Sequence, residues 1–306
     1  MKYPPFLQPQ DCVAVLGTAG SLKDPSLIDL GISLLQEWGL IVEVLASARA
    51  QHGYFAGNDD LRRSDLQEAL DRKDIRAVFC ARGGYGTTRI LDRLDFSAFS
   101  HSPKWLVGFS DITALHLKIQ QLGFCSLHAP TLSAFLAEPP EAVEAIKGVK
   151  DCLFGNPRLL HSRQPQGRVG EAIAPLIGGN LSLLSHTVGS LTEIDTQGKI
   201  LFLEEVGEYP YKVDRHLTQL HRAGLLQDLA GVAVGDMDLS PKDLEEFGFS
   251  FLDMLLEKLP FGIPIALGFP FGHIPANHAL VPGAMSHLSV KEQEATLTFV
   301  ASGKGI

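Results

Sequence analysis

The sequence predicts an α/β protein with two domains, and three observations support this fold class. The 306 residues correspond to two domains at about 150 residues each. The N-terminal half alternates short apolar runs with longer amphipathic stretches, which is the pattern of strands and helices in turn. The apolar runs do not alternate with polar residues, so each strand should be buried on both faces. A parallel sheet covered by helices is the architecture that buries strands in this way.

The first predicted domain spans residues 1–135 and repeats a strand–helix pair four times. Residues 12–17 form an apolar run closed by Gly-Thr-Ala-Gly, and residues 25–39 carry leucine and isoleucine at helical spacing. We therefore expect a flavodoxin-like parallel sheet with helices on both faces. The other predicted elements are the strands 40–46, 77–82 and 105–110 and the helices 59–72, 87–94 and 111–121.

The second predicted domain spans residues 169–306 and is a further α/β unit of less regular pattern. Residues 136–168 precede it and contain the proline pair 139–140, a predicted helix to about residue 154, a Gly-Asn-Pro turn and a polar stretch. This combination is typical of a connection between domains. The predicted elements are a segment at 172–179, a helix from 181, strands at 199–205, 231–235, 263–267, 286–290 and 295–300, and helices at 212–229 and from 241.

Composition excludes several functional classes. The chain has 26 Lys and Arg against 35 Asp and Glu, a net charge of −9, whereas a nucleic-acid binder needs basic patches for the phosphates. No apolar window approaches the ~18 residues of a membrane helix, and the N-terminus lacks a signal-peptide pattern, so we expect a soluble, cytoplasmic protein. The four cysteines are widely spaced, and no metal-ligand spacing occurs, so we expect neither a metal nor a cofactor.

Ser110 lies at the end of the predicted strand 105–110, on the turn before the next helix, in the sequence Gly-Phe-Ser-Asp-Ile-Thr. A serine on a turn between a strand and a helix exposes its hydroxyl at the carboxyl edge of the sheet, as a nucleophile requires. The G-x-S-x-G spacing of the nucleophile elbow is absent. Serine is also favoured at helix N-caps, so the local pattern fits a capping residue as well.

The second motif is Arg-Gly-Gly-Tyr-Gly at residues 82–86, after the predicted strand 77–82. Three glycines within four positions permit close backbone approach and unpaired N–H groups, which an oxyanion or anion site needs. Neither nucleotide-binding glycine pattern is present, and a plain glycine turn fits the same residues. Because this loop and Ser110 both follow strands, they are expected at the edge where open α/β sheets place their sites.

Two further segments carry ionisable side chains at predicted strand ends. Glu204 and Glu205 close an apolar strand, and alternation along a strand allows only one of them to enter a given site. His273 and His278 lie in a Gly/Pro loop after the strand 263–267, where either could be a general base. Taken alone, the glutamates are more simply interpreted as surface charge at a strand end, and the loop histidines as surface residues.

Taken together, these segments resemble the LD-carboxypeptidase (muramoyltetrapeptide carboxypeptidase) family of serine peptidases. The resemblance extends through most of the chain, and the order and spacing of its motifs make it specific. The motifs are Arg-Gly-Gly-Tyr-Gly (82–86), Gly-Phe-Ser-Asp-Ile-Thr-Ala-Leu (108–115), Ile-Gly-Gly-Asn-Leu (177–181), Phe-Leu-Glu-Glu-Val-Gly-Glu (202–208), Tyr-Lys-Val-Asp-Arg-His-Leu (211–217) and Gly-Phe-Pro-Phe-Gly-His (268–273).

The resemblance implies a catalytic triad of Ser110, Glu204 and His273, and it selects Glu204 over Glu205 and His273 over His278. It also implies that the serine comes from the first domain and the other two residues from the second, so that the active site lies between the domains. Further expectations concern the groups around the triad. These are an oxyanion hole formed by the backbone N–H groups of Gly84 (or Gly83) and Asp111, and substrate contacts from Arg82, Gly83 and Asn180.

The substrate that the resemblance implies is a murein tetrapeptide, from which the family releases terminal D-alanine during cell-wall recycling. A related branch, the microcin immunity peptidases, cleaves conjugates that resemble aminoacyl adenylates. The length of the chain and the presence of only two tryptophans, Trp38 and Trp105, favour the cell-wall branch. The family is typically dimeric, so a homodimer is expected. A non-catalytic α/β binding protein, in which Ser110 caps a helix, is the alternative of a different class.

Overall fold

The chain forms two compact units, and the computed structural model describes residues 1–136, 138–163 and 166–299. We call Lys2–Pro157 with Pro275–Val281 the N-terminal unit, and the described residues of Arg158–Ile274 with those of 282–299 the C-terminal unit. One boundary, between Pro157 and Arg158, falls inside the predicted connecting segment 136–168. The residues Pro275–Val281 belong to the N-terminal unit, although they lie within the second predicted domain, 169–306. Residues 137, 164 and 165 of that segment lie outside the described residues, as do residues 300–306 of the second predicted domain.

The N-terminal unit is built on a five-stranded parallel sheet. Its strands are β1 (Cys12–Leu16), β2 (Ile41–Val44), β3 (Ile75–Cys80), β4 (Trp105–Gly108) and β5 (Leu127–His128). Their order is β2-β1-β3-β4-β5, and every adjacent pair is parallel. This order reverses direction at β1, so right-handed crossovers place helices on both faces of the sheet. The predicted parallel α/β sheet is confirmed.

The helices of this unit bury their apolar faces on a sheet whose inner strands are themselves apolar. Residues 13–16, 77–80 and 105–108 of the three central strands are all buried, whereas the edge strand β2 is partly exposed. The helices are α1 (Asp29–Glu37), α2 (Asp59–Asp71), α3 (Thr88–Leu91), α4 (Ser97–His101), α5 (Thr113–Gln121) and α6 (Pro140–Leu153).

The C-terminal unit contains an eight-stranded mixed sheet. The strands are β6 (Leu160–Arg163), β7 (Gly167–Arg168), β8 (Gly170–Asn180), β9 (Ile200–Val206), β10 (Gly231–Asp238), β11 (Ile265–Ala266), β12 (Met285–Val290) and β13 (Glu294–Phe299). Their order is β6-β13-β12-β8-β9-β10-β11-β7. The four strands from β8 to β11 are parallel, and the remaining pairs are antiparallel.

In the part of the chain that the structure describes, four helices accompany this sheet: α7 (Leu181–His186), α8 (Pro210–Arg222), α9 (Pro241–Phe247) and α10 (Phe251–Lys258). The last two replace the single long helix predicted from residue 241. Gly248 ends α9 in the left-handed conformation, with φ of +84°. Ser250 then starts α10 with a capping box to Asp253. The break is therefore encoded locally, by a glycine and a serine two residues apart.

The predicted connecting segment contains the expected helix, α6, and a strand, β6, that the sequence pattern did not indicate. Helix α6 belongs to the N-terminal unit, where Leu153 accepts a backbone hydrogen bond from Leu7. Strand β6 pairs with β13 at the edge of the second sheet. An edge strand has one unpaired side and no need for an apolar run, which explains why the sequence pattern did not reveal it.

The topology brings particular loops together within each unit. Strands β3 and β4 are parallel neighbours, so the loops that follow Cys80 and Gly108 leave the same edge of the first sheet. Strands β9 and β10 are likewise parallel neighbours in the second sheet. Three of these strands, β3, β4 and β9, carry candidate residues of the sequence at their carboxyl ends. Among the helices of the described residues, none has the length and apolar character that spanning a membrane would require.

Candidate active site

Ser110 lies on a sharp turn between β4 and α5 and has an unusual backbone conformation. Its φ is +63°, and among the described residues only Gln10 is another non-glycine residue with positive φ. Such a conformation costs on the order of 1–3 kcal/mol and is found mainly where function requires it. Ser110 begins the short 3₁₀ turn Ser110–Ile112, whose N-cap is Phe109, and it lacks the extended backbone of a cap residue. The structure therefore contradicts the helix-cap interpretation.

The buried side chain of His116, on α5, supports this turn, and the sequence pattern did not mark it as a site residue. The buried imidazole places Nε2 2.8 Å from the Gly108 carbonyl oxygen and Nδ1 2.8 Å from the Ser126 hydroxyl. Because a carbonyl only accepts, Nε2 carries the proton and Nδ1 accepts from Ser126. Burial lowers the pKa of His116 to about 4, so the ring is neutral at ordinary pH.

We expect this neutral histidine to make the folded state sensitive to mild acid. Its pKa is lower in the folded protein than the usual 6.5, so stability is full above pH 6.5 and falls as the pH drops towards 4. The shift corresponds to a loss of about 3 kcal/mol. Urea unfolding of wild type and His116→Gln at pH 7 and pH 4.5 tests this expectation. Wild type should lose more stability than the variant, and an equal loss would contradict the proposed neutral state.

The glycine-rich loop runs directly beside Ser110. A Cβ atom added to Gly83 would lie 3.0 Å from the Ser110 Cβ and 3.3 Å from its Oγ. Gly84 has φ of +105°, and a Cβ there would lie 2.7 Å from the hydroxyl of Tyr54. The glycines are therefore required by close approach as well as by conformation. The structure brings together the loop and the serine that the sequence singled out separately.

Arg82 holds the start of this loop. Its guanidinium donates a hydrogen bond to the Ser21 carbonyl, in the segment that follows β1, and the side chain is half-buried. The backbone N–H of Gly20 donates to the Gly83 carbonyl at 3.0 Å in the same region. Part of the hydrogen-bonding capacity of Arg82 thus already serves the loop, and its contact with a substrate carboxylate stays a prediction.

Glu204 and His273 form a hydrogen-bonded pair in the C-terminal unit. Glu204 lies at the carboxyl end of β9, is fully buried, and places Oε2 2.7 Å from His273 Nδ1. Gly272 makes this approach possible: a Cβ atom there would lie only 3.2 Å from the Glu204 Cβ. A buried carboxylate that accepts from one imidazole nitrogen orients the ring and leaves the other nitrogen to act on protons.

The electrostatics of the pair follow from this geometry. Burial raises the pKa of Glu204, although the hydrogen bond from His273 opposes the rise. Burial alone would lower the pKa of His273, but the hydrogen bond and charge of Glu204, together with the charges of Glu205 and Asp236, outweigh it. The pKa of His273 therefore lies above its usual value. Asp236, at the end of β10, was not predicted as part of this site.

Glu205 points away from His273 and serves the framework. Its carboxylate accepts hydrogen bonds from the Asn180 side chain at 2.9 Å, from the Ser182 backbone at 2.8 Å and from the Ser182 hydroxyl at 2.7 Å. Asn180 also accepts from the Leu183 N–H group as the cap of α7. Because side chains alternate along β9, Glu204 contacts His273, whereas Glu205 binds Asn180 and Ser182. Asn180 holds this framework, and its contact with a substrate stays a prediction.

Arg62 is another buried residue that the sequence did not mark. It is 0% exposed, although it lies on a helix with many charged residues. The sequence carries one weak signal of this burial: Arg62 precedes Leu66 by four residues and therefore shares its inward face. Within the described residues, no group of three His, Cys, Asp or Glu side chains could hold a metal ion.

Comparison with known proteins gives consistent matches over the whole chain. Residues 13–129 match the model of the LD-carboxypeptidase N-terminal domain, and residues 174–288 match that of the C-terminal domain. A probable murein peptide carboxypeptidase of Bacillus subtilis (strain 168) is 37% identical over 96% of this chain and 93% of its own. The murein tetrapeptide carboxypeptidase of Pseudomonas aeruginosa PAO1 is 30% identical over 89% of both chains.

Solved structures show the same architecture. The crystal structure of muramoyltetrapeptide carboxypeptidase from Oxalobacter formigenes superposes with a TM-score of 0.84 at 29% identity, covering 94% of this chain and 97% of that one. The microcin C7 self-immunity protein MccF in complex with aspartyl sulfamoyl adenosine also gives 0.84, at 19% identity, covering 96% and 98%. The second likeness shows the shared fold alone.

Proposed function

Because this chain belongs to the LD-carboxypeptidase family, we propose that it is a serine peptidase that releases terminal D-alanine from murein tetrapeptide. The observation that carries the serine mechanism is the left-handed backbone of Ser110, beside a glycine-rich loop at the edge of a parallel sheet. The names of the two curated relatives support the substrate class. The proposed setting is the recycling of cell-wall peptides in the cytoplasm.

In the proposed reaction, Ser110 Oγ attacks the carbonyl carbon of the bond before D-alanine. His273 takes the hydroxyl proton through Nε2, while Glu204 holds Nδ1 and stabilises the imidazolium. The tetrahedral intermediate collapses, the C–N bond breaks, and His273 gives the proton to the leaving amine. Water then attacks the acyl-enzyme ester, and His273 again acts as the base. The tripeptide is released, and the Ser110 hydroxyl is regenerated.

The oxyanion of the tetrahedral intermediate would be stabilised by backbone N–H groups. We propose Gly84 (or Gly83) and Asp111 as the donors, since the glycine loop runs beside Ser110 and Asp111 follows it directly. Arg82 is proposed to contact the terminal carboxylate of D-alanine. A homodimer is likewise a proposal, which sedimentation velocity would measure.

The test of this function is the release of D-alanine. Purified protein is incubated with murein tetrapeptide, D-alanine is quantified with D-amino-acid oxidase, and the tripeptide is identified by mass spectrometry. A tetrapeptide that ends in L-alanine is the matched control and should be cleaved much more slowly. Absence of D-alanine release would overturn the proposed substrate.

The same assay separates the two alternative functions. Aspartyl sulfamoyl adenosine is incubated in parallel, and its hydrolysis without D-alanine release would assign the protein to a microcin-immunity activity. Binding of the tetrapeptide without turnover, measured by calorimetry, would instead indicate a non-catalytic binding protein. Release of D-alanine with an inert sulfamoyl adenosine is the result that we expect.

The pH dependence of the reaction should report the state of His273. The imidazole must be neutral to act as a base, and its pKa is raised, so kcat/KM should fall with decreasing pH around a midpoint above 6.5. Glu204→Gln removes the charge that raises this pKa. The variant should move the midpoint to lower pH and lower the maximal rate by about 10²-fold or more.

Asp236→Asn is the matched control for this profile. It removes a carboxylate that also raises the pKa of His273 but does not touch the Nδ1 hydrogen bond. We expect a smaller shift of the midpoint in the same direction and a plateau rate near that of wild type. An unmoved midpoint in both variants would show that another group limits the rate at low pH.

A further inference from the structure

We propose that the side chains of Arg62 and Asp111 are positioning residues that hold the glycine loop beside Ser110 and so set the spacing of the two oxyanion donors. This inference rests on the proposed function, since it concerns the same reaction. Neither side chain is assigned to the triad. The contacts that carry the inference all lie within the N-terminal unit.

Arg62 holds the loop from the side of α2. Its guanidinium is fully buried, and Nη1 lies 2.9 Å from the Gly86 carbonyl oxygen and 2.5 Å from the Thr18 carbonyl oxygen. Nη2 donates to Asp59 on the same helix. The ring of Phe55 lies below the guanidinium, 4.8 Å from its central carbon. Arg62 thus joins the loop after β1 to the loop after β3 through one planar group.

The absence of a side chain at Gly86 allows the Arg62 guanidinium to pack against the loop. Its φ is +138°, and a Cβ atom there would lie 2.6 Å from Arg62 Nη1. Any side chain at this position would push the guanidinium out of place. The third glycine of the motif is therefore explained by the arginine that packs on it, and not by a need to approach substrate.

Asp111 holds the loop from the side of Ser110. Its carboxylate is buried, and Oδ2 accepts a hydrogen bond of 2.8 Å from the Thr87 N–H group. Burial raises the pKa of Asp111, whereas the N–H groups of Thr87 and Gly86 and the charge of Arg62 oppose the rise. The Thr87 hydroxyl in turn lies 3.0 Å from the hydroxyl of Thr18.

The backbone and the side chain of Asp111 therefore serve the proposed oxyanion hole in different ways. Its backbone N–H is a proposed oxyanion donor, and its side chain binds the end of the loop that carries the other donor, Gly84. Because oxyanion donors act only when held at hydrogen-bond distance from the developing charge, this link fixes the geometry before substrate arrives. Arg62 restrains the same loop from the opposite side.

A purely structural role and a positioning role predict different results. Buried polar pairs that serve only the fold affect unfolding when altered, but the folded fraction keeps its turnover. A displaced oxyanion donor instead lowers kcat, leaves KM almost unchanged, and weakens transition-state analogues more than substrates. A displacement of about 1 Å can cost about 10²-fold in rate.

The experiment compares Asp111→Asn and Arg62→Lys with wild type. Both variants keep a polar side chain at the buried position, and Asp60→Asn, an exposed change on α2 paired only with Arg93 at the surface, is the matched control. D-alanine release gives kcat and KM, and the inhibition constant of a tripeptide boronic acid, in which boron replaces the scissile carbonyl carbon, reports transition-state binding. Thermal unfolding measures the folded fraction of each variant.

We expect both variants to lower kcat by about 10- to 10²-fold, with KM within about threefold, and to weaken the boronic acid by a similar factor. The double variant should lose less than the product of the single losses, because both side chains act through one loop. Asp60→Asn should match wild type. Normal kcat in folded Asp111→Asn and Arg62→Lys would overturn the inference.

A second readout keeps this inference separate from the proposed substrate. A fluorophosphonate probe phosphonylates an activated serine without regard to peptide specificity, and its reaction also builds negative charge on oxygen. If wild type releases no D-alanine but is labelled at Ser110, the substrate proposal fails and the labelling rates still test the loop. Equal labelling rates in wild type and both variants would again overturn the inference, whereas slower labelling in the variants would support it.

Discussion

Replacing Ser110 by alanine should lower kcat for D-alanine release by about 10⁴-fold or more, because the nucleophile that forms the acyl-enzyme is removed. His273→Ala should cause a loss of similar size. Since both residues are proposed to act in one step, the double variant should be no slower than the slower of the two single variants. The measurement is single-turnover release of D-alanine with enzyme in excess over tetrapeptide.

Multiplicative losses in the double variant would show that Ser110 and His273 act independently, which contradicts a shared triad. Ser110→Gly is an informative control for folding. It should be as inactive as Ser110→Ala, yet more stable by about 1 kcal/mol, since glycine adopts a φ of +63° without the steric cost that alanine pays. Urea unfolding of the two inactive variants measures this difference.

Gly83→Ala should lower kcat by about 10²-fold while the protein stays folded. The added methyl would lie 3.3 Å from Ser110 Oγ and 3.0 Å from its Cβ, in the space beside the attacking oxygen. Displacing a nucleophile or an oxyanion donor by a few tenths of an ångström to 1 Å is enough for a loss of this size. Gly83 does not have a left-handed φ, so alanine adds crowding and no backbone strain.

Gly123→Ala is the control variant in which alanine adds backbone strain but no crowding. Gly123 has φ of +85°, and nothing lies within 4 Å of an added Cβ. This variant should lose about 1 kcal/mol of stability through backbone strain and keep its turnover. Comparison of kcat and unfolding free energy for the two variants separates crowding at Ser110 from strain. Normal kcat in Gly83→Ala would show that the loop does not adjoin the reacting carbonyl.

The chemical identity of the site could be predicted because each motif follows a strand. The strands β3, β4 and β9 are buried in the structure, and the candidate residues lie at or just after their carboxyl ends. Parallel pairing then brings the glycine loop to Ser110, as the sequence pattern indicated. The family resemblance, which the domain models confirm, supplied the choice between Glu204 and Glu205.

Other features could not be predicted, since their signals are weak in a single sequence. Strand β6 is a polar edge strand, and its residues form no apolar run that would mark it. Arg62 has the composition of a surface residue, and its burial depends on carbonyl oxygens that come from distant loops. Such partners are set by the packing of β1, β3 and α2, which local periodicity does not describe.

The sequence by itself determined the α/β class, the parallel sheet and the positions of the candidate side chains, because burial and strand or helix periodicity are local properties. Only the tertiary structure decided how those side chains are used. It gave Ser110 its left-handed backbone, paired Glu204 with His273, and assigned Glu205 and Asn180 to the framework. Hydrogen bonds between residues far apart in the chain make these assignments, since their directions exist only once the strands have paired.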